Sequence, residues 1–95
     1  MSVVIFFTVT GETEQLLAAY DKTVAAPHPS RLGHLMAGTK DGMKGVEVWI
    51  SEEDLQAYLA EDLPRIFERA GVVDLIPPNA SVEIAPVHHA YGTLA

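Results

Sequence analysis

His34 and Glu47 are the residues of this 95-residue chain best suited to acid–base chemistry. An imidazole and a carboxylate held in an apolar surround can take a proton from an activated carbon and return it. The two flank Lys40-Asp41-Gly42-Met43, and Asp-Gly between apolar runs is a strong hairpin signal. With Asp41-Gly42 as the two turn residues, Met36 faces Glu47, His34 faces Trp49, and all four project to one side of the sheet. That face predicts a cavity with His34 or Glu47 as base, Trp49 as packing wall and Met36 in the lining. An odd-length loop would reverse the faces. The plainer alternative puts Glu47 at an open end of the sheet and hydrogen-bonds His34 to backbone.

His88 and His89 are adjacent in a strand pattern, so they project to opposite sides and do not chelate one metal together. His88 reads either as a solvent-exposed strand-end residue, the reading the pattern favours, or as a second acid or base at the cavity mouth. A two-His-one-carboxylate iron site from His34, His88 and Glu47 is disfavoured. The strands of His34 and His88 lie three spacings apart, roughly 14 Å at about 4.8 Å each, so no metal is expected within one subunit unless the last strand crosses to the partner. Tyr20 and Tyr58 fall on core-facing helical stripes, where each hydroxyl either meets a backbone partner or orients a ligand phenol or carbonyl. His28, between Pro27 and Pro29, reads as a loop residue or a shaper of the pocket entrance. No Ser-His-Asp order, phosphate-binding loop or dinucleotide fingerprint is present, which points to chemistry without a cofactor.

Composition narrows the partners. Six Lys and Arg against 13 Asp and Glu give a net charge of −7, with no basic cluster for nucleic acid or an anionic membrane. The absence of cysteine removes disulfides, thiolate metal sites and a cysteine nucleophile. The apolar run Val3 to Val9 lacks a basic flank and is far short of a membrane span, so a soluble cytoplasmic protein is expected. A hydrophobic fraction of 48% is high for one small domain and points to apolar surface buried in a partner subunit.

The elements that must position these residues follow from periodicity and punctuation. Ser2 to Thr10 is a β-branched and aromatic run, apolar on both faces, that predicts a central strand. Thr10 to Glu14 opens a helix carrying Leu16, Leu17, Tyr20 and Val24, stopped by Pro27 and Pro29. Gly33 to Thr39 and Gly45 to Ile50 are the hairpin strands. Ser51 caps a second helix with Glu52, Glu53 and Asp54 in its first turn. Its apolar stripe runs through Leu55, Tyr58, Leu59, Leu63, Ile66, Phe67 and Ala70 to Gly71, with a break near Asp62 imposed by Pro64. Ser81 to His88 is a last strand that Pro86 assigns to a sheet edge, and Gly92 to Ala95 is a short tail. The order βαββαβ over residues 1–95, as one domain, predicts an α+β ferredoxin-like fold with a four-stranded antiparallel sheet and both helices on one face. Val46, Val48 and Ile50 then form an apolar opposite face, which predicts a homodimer pairing sheet to sheet.

Val48-Trp49-Ile50-Ser51-Glu52-Glu53-Asp54-Leu55 resembles the signature at the third-strand to second-helix junction of dimeric α/β-barrel proteins, particularly the antibiotic biosynthesis monooxygenase-like group. Chain length, strand order, the Asp-Gly hairpin and Pro77-Pro78 fit as well, so the resemblance spans the chain. It implies a fold shared by cofactor-free oxygenases of polyketide quinols, polyketide cyclases and haem-degrading enzymes. Trp49 matches a pocket residue of the monooxygenases. Their pocket Asn, Tyr and Arg, and the cyclases' His before Pro on the second helix, are not placed in this sequence. The expected function is binding of a small apolar, aromatic or polyketide-like molecule, with cofactor-independent cyclisation, isomerisation or oxygenation. The alternatives are a non-catalytic ligand-binding or assembly module, and a haem-binding relative using His34 or His88 as axial ligand.

Overall fold

The computed structural model describes residues 1–23 and 27–91. Val24, expected on the first helix, and the Gly92 to Ala95 tail lie outside them. Strand β1 is Val3–Thr10, helix α1 Thr13–Thr23, β2 Arg31–Thr39, β3 Gly42–Trp49, α2 Glu52–Ala57, α3 Leu63–Ala70 and β4 Ala80–Pro86. The four strands form one antiparallel sheet in the order β2-β3-β1-β4, which is the split βαβ arrangement.

Local chemistry accounts for the element ends. The Glu12 carboxylate accepts the backbone N–H groups of Glu14 and Gln15 at 3.3 and 2.8 Å and starts α1. Ser51 caps α2 by accepting the N–H of Asp54 at 3.1 Å. The expected break falls between α2 and α3 as a π-helical turn over Tyr58–Asp62, where the N–H of Leu63 reaches back to the carbonyl of Tyr58. Pro64 lies in the first turn of α3, where its missing donor is least costly. Gly71, at φ 73°, closes α3 in the left-handed conformation.

The hairpin corrects the expected register. Its turn residues are Lys40 and Asp41, and Gly42 is the first residue of β3, paired with both Thr39 and Thr10. His34 therefore faces Glu47 and Met36 faces Gly45. The shift is by two residues, so the faces keep their parity. A β-carbon on Gly42 would collide with the Val9 carbonyl, and its φ of 154° is open chiefly to glycine, so β1 fixes where the turn must end. β2 begins at Arg31 rather than Gly33. A bulge lies there, with Arg31 opposite Trp49 and Gly33 opposite Val48. β4 ends at Pro86 rather than continuing to His88.

The helices cover the face that carries Val3, Ile5, Phe7 and Val9. One core cluster joins Val9, Leu16, Ala19, Met43, Val72 and Ile76; another joins Val3, Ile5, Trp49, Leu55 and Tyr58. The opposite face carries Val4, Phe6, Leu35, Val46 and Val48, with Phe6 45% and Leu35 69% exposed. Among the described residues no helix is long and apolar enough to cross a membrane.

Gly45 decides how much room remains beneath the helices. A β-carbon there would strike the Phe7 ring and approach the Met36 methyl to 2.9 Å. Gly45→Ala is therefore expected to destabilise the fold by about 2 kcal/mol through overpacking, read as a lower urea midpoint at unchanged slope.

Candidate ligand-binding and active site

Glu47 occupies the middle of β3, opposite Ile5 on one side and His34 on the other. Two residues on, and therefore on the same face, Trp49 is fully buried and donates its indole N–H to Oε1 of Glu47 at 2.9 Å. The bulge brings Arg31 to this face as well, and Nη1 lies 3.6 Å from Oε2 of Glu47. Both side chains are removed from water, at 5% and 12% exposure. Tyr58, the first residue of the π-helical turn, presents its ring 4.9 Å from that of Trp49 and 5.9 Å from the Arg31 guanidinium carbon.

Glu47, Arg31 and Tyr58 form the polar end of a cavity of about 430 Å³, within the range of small-molecule sites. Tyr20 and Thr23 from α1 complete that end. The remaining walls are apolar, supplied by Ile5, Phe7 and Val9 of β1, Leu59 and Leu63 near the π-helical turn, and Phe67 of α3. Burial pushes the Tyr20 hydroxyl up to about 12, with the Glu47 charge adding to the rise. Burial also raises Tyr58, against the opposing pull of Arg31. Both phenols remain protonated at neutral pH and so keep an O–H to offer a ligand. The Tyr20 hydroxyl is buried and has no hydrogen-bond partner among the described residues.

An unsatisfied buried hydroxyl costs stability. Tyr20→Phe is accordingly expected to stabilise the protein by about 1 kcal/mol, measured by urea unfolding. The raised value adds a pH signature. Above the ordinary tyrosine value of 10 the unfolded chain ionises at this position while the folded one stays protonated up to about 12. Stability is thus lost as pH rises through that window, and the variant removes the Tyr20 share of the loss.

No family model and no curated protein matches the chain. Solved structures do. SnoaB, a cofactor-independent oxygenase from Streptomyces nogalater, is 18% identical over 94% of this chain and 93% of its own, with a TM-score of 0.66. A Chloroflexus aurantiacus protein named for the antibiotic biosynthesis monooxygenases gives 18% identity over 96% and 98%, with a TM-score of 0.57. A protein of unknown function from Nitrosomonas europaea gives 14% over 95% and 92%, with a TM-score of 0.64. The fold is that of the antibiotic biosynthesis monooxygenase-like proteins.

Within this monooxygenase-like fold the expected site residues separate. Glu47, Tyr20 and Tyr58 line the cavity. Trp49 stands behind Glu47 and holds it, and Met36 packs against the core cluster beneath α1. His34 and His88 do not join them. His34 shares the parity of Glu47, but it lies on the edge strand β2, where its imidazole is exposed and does not line the cavity. His88 lies past the end of β4, also exposed. The assignment of either as the cavity base, or as an axial haem ligand within it, is therefore corrected.

One neighbour of the site, Arg31, escaped the sequence reading; the other, His28, is the residue read there as a loop residue or a shaper of the pocket entrance. Arg31 has the parity of the bare sheet face, and only the bulge turns it inward. His28 is half-buried, with its ring 4.8 Å from Trp49 and 5.5 Å from Tyr58. Its Nδ1 accepts the Ser30 N–H, its Nε2 lies 3.8 Å from Asp62, and the Ser30 hydroxyl donates to Asp54 at 2.5 Å. The flanking prolines were the available signal that this loop is held in one shape.

Proposed function

We propose that this protein binds a small aromatic or polyketide-like molecule in the cavity and acts on it by cofactor-independent acid–base chemistry. The observation that carries this reading is the placing of Glu47, Arg31, Tyr20 and Tyr58 at one end of an otherwise apolar cavity. Glu47 takes a proton from a carbon next to a ligand carbonyl. The Arg31 guanidinium and a phenol hydroxyl stabilise the enolate that forms. Return of the proton elsewhere gives isomerisation, and attack of the enolate on a second carbonyl gives cyclisation. A second reading draws on the likeness to SnoaB: the same anion donates an electron to dioxygen, the two radicals join as a peroxide at that carbon, and protonation with loss of water and of the remaining C–H leaves a carbonyl there. A cytoplasmic homodimer accompanies the proposal, with a second copy covering Val4, Phe6, Val46 and Val48.

The test is exchange of the α-hydrogens of 1-tetralone, an aromatic ketone of fitting size, in D₂O. Protein-dependent exchange that saturates with ketone supports the acid–base reading. Saturable binding with no exchange above buffer means a non-catalytic binding module. Sedimentation equilibrium reads the dimer, and a monomer at all concentrations removes that part.

A further inference from the structure

Arg31 and Glu47 are the only charged side chains among the described residues that line the cavity, and they carry opposite signs. Glu47 also accepts the Trp49 indole N–H, and the guanidinium carbon of Arg31 lies 5.9 Å from the centre of the Tyr58 ring. The pair is nearly closed to water, so solvent screens it little. A charged ligand entering such a site brings a net charge into an apolar enclosure, or must pull the pair apart and leave one member uncompensated. An uncharged ligand does neither, and its oxygen finds unused hydrogen-bonding capacity in the orphan Tyr20 hydroxyl at the same end. That hydroxyl is closed to solvent, so the ring must shift to meet a ligand.

We infer that the Arg31–Glu47 pair sets the charge specificity of the cavity, making it a site for uncharged ketones or phenols and excluding carboxylates and amines of the same skeleton. The inference rests on the reading of this cavity as a ligand site and narrows its substrate class. It also assigns Arg31 a part in specificity besides stabilising the enolate.

Three probes on one bicyclic skeleton test it: 1-tetralone, tetralin-1-carboxylate and the ammonium form of 1-aminotetralin. Calorimetry on the wild type at neutral pH should give the ketone at least about tenfold tighter binding than either ion. Glu47→Gln leaves the guanidinium without its counter-charge and should shift the preference toward the carboxylate by about tenfold or more. Arg31→Met is the independent second variant and should shift it toward the ammonium ion. Wild-type binding of the carboxylate as tight as that of the ketone overturns the inference, as do ratios unchanged in both folded variants. Both of those outcomes leave the cavity standing as a ligand site. Failure of all three probes to bind the wild type removes that broader reading together with the inference.

Discussion

Glu47→Gln is expected to lower the rate of catalysed α-hydrogen exchange in a bound ketone by roughly 100- to 10,000-fold. Glu47 is the one carboxylate lining the cavity among the described residues. The amide keeps an oxygen for the Trp49 indole N–H, so the loss isolates the proton-accepting role from the positioning one. The variant also leaves the Arg31 guanidinium without its carboxylate, at a cost to stability of about 3 kcal/mol. Rates must therefore be taken well below the unfolding midpoint and compared with those of Glu47→Asp, which keeps the charge on a shorter arm. Recovery of part of the rate in Glu47→Asp, with none in Glu47→Gln, identifies the carboxylate as the base. Equal rates in wild type and Glu47→Gln would move the chemistry to another group.

Trp49→Ala carries the largest expected cost to the fold, about 4 kcal/mol. The side chain is 0% exposed and packs against the rings of His28 and Tyr58, which also meet each other. Its removal opens a void where β3, the π-helical turn and the loop before β2 meet, and it frees Glu47 from the indole N–H. Such a cost is a large part of the stability of a small domain, so a strong fall in urea midpoint should come with loss of ligand binding. Trp49→Phe separates the two contributions. It keeps most of the packing and removes the donor, so it should restore most of the midpoint while leaving Glu47 less firmly placed. A Trp49→Ala protein as stable as wild type would contradict the packing described.

The fold was legible because each element carried its own signal. The β-branched run of β1, the Ser51 cap and the Pro64 break act through nearest neighbours, and backbone sterics and hydrogen bonding make them local. The Asp-Gly pair marked the hairpin but not which residues turn. That was settled by β1, against which Gly42 must lie in extended backbone without a side chain. Parity survived the two-residue shift, and Glu47 and Trp49 stayed on the covered face as alternation requires.

The site divides along the same line. By itself the sequence determined which side of β3 Glu47 and Trp49 occupy and which helical stripes carry Tyr20 and Tyr58, because side-chain direction in a strand or helix follows from backbone period alone. Only the tertiary structure decided that His34 stands outside, since exposure depends on how far the helices reach across the sheet. It also turned Arg31 inward, because a bulge is the sum of pairing demands from a neighbouring strand. The pairing of Arg31 with Glu47 and the unpartnered Tyr20 hydroxyl have no trace in local sequence, for each arises where a strand bulge, a helix and a helical defect converge.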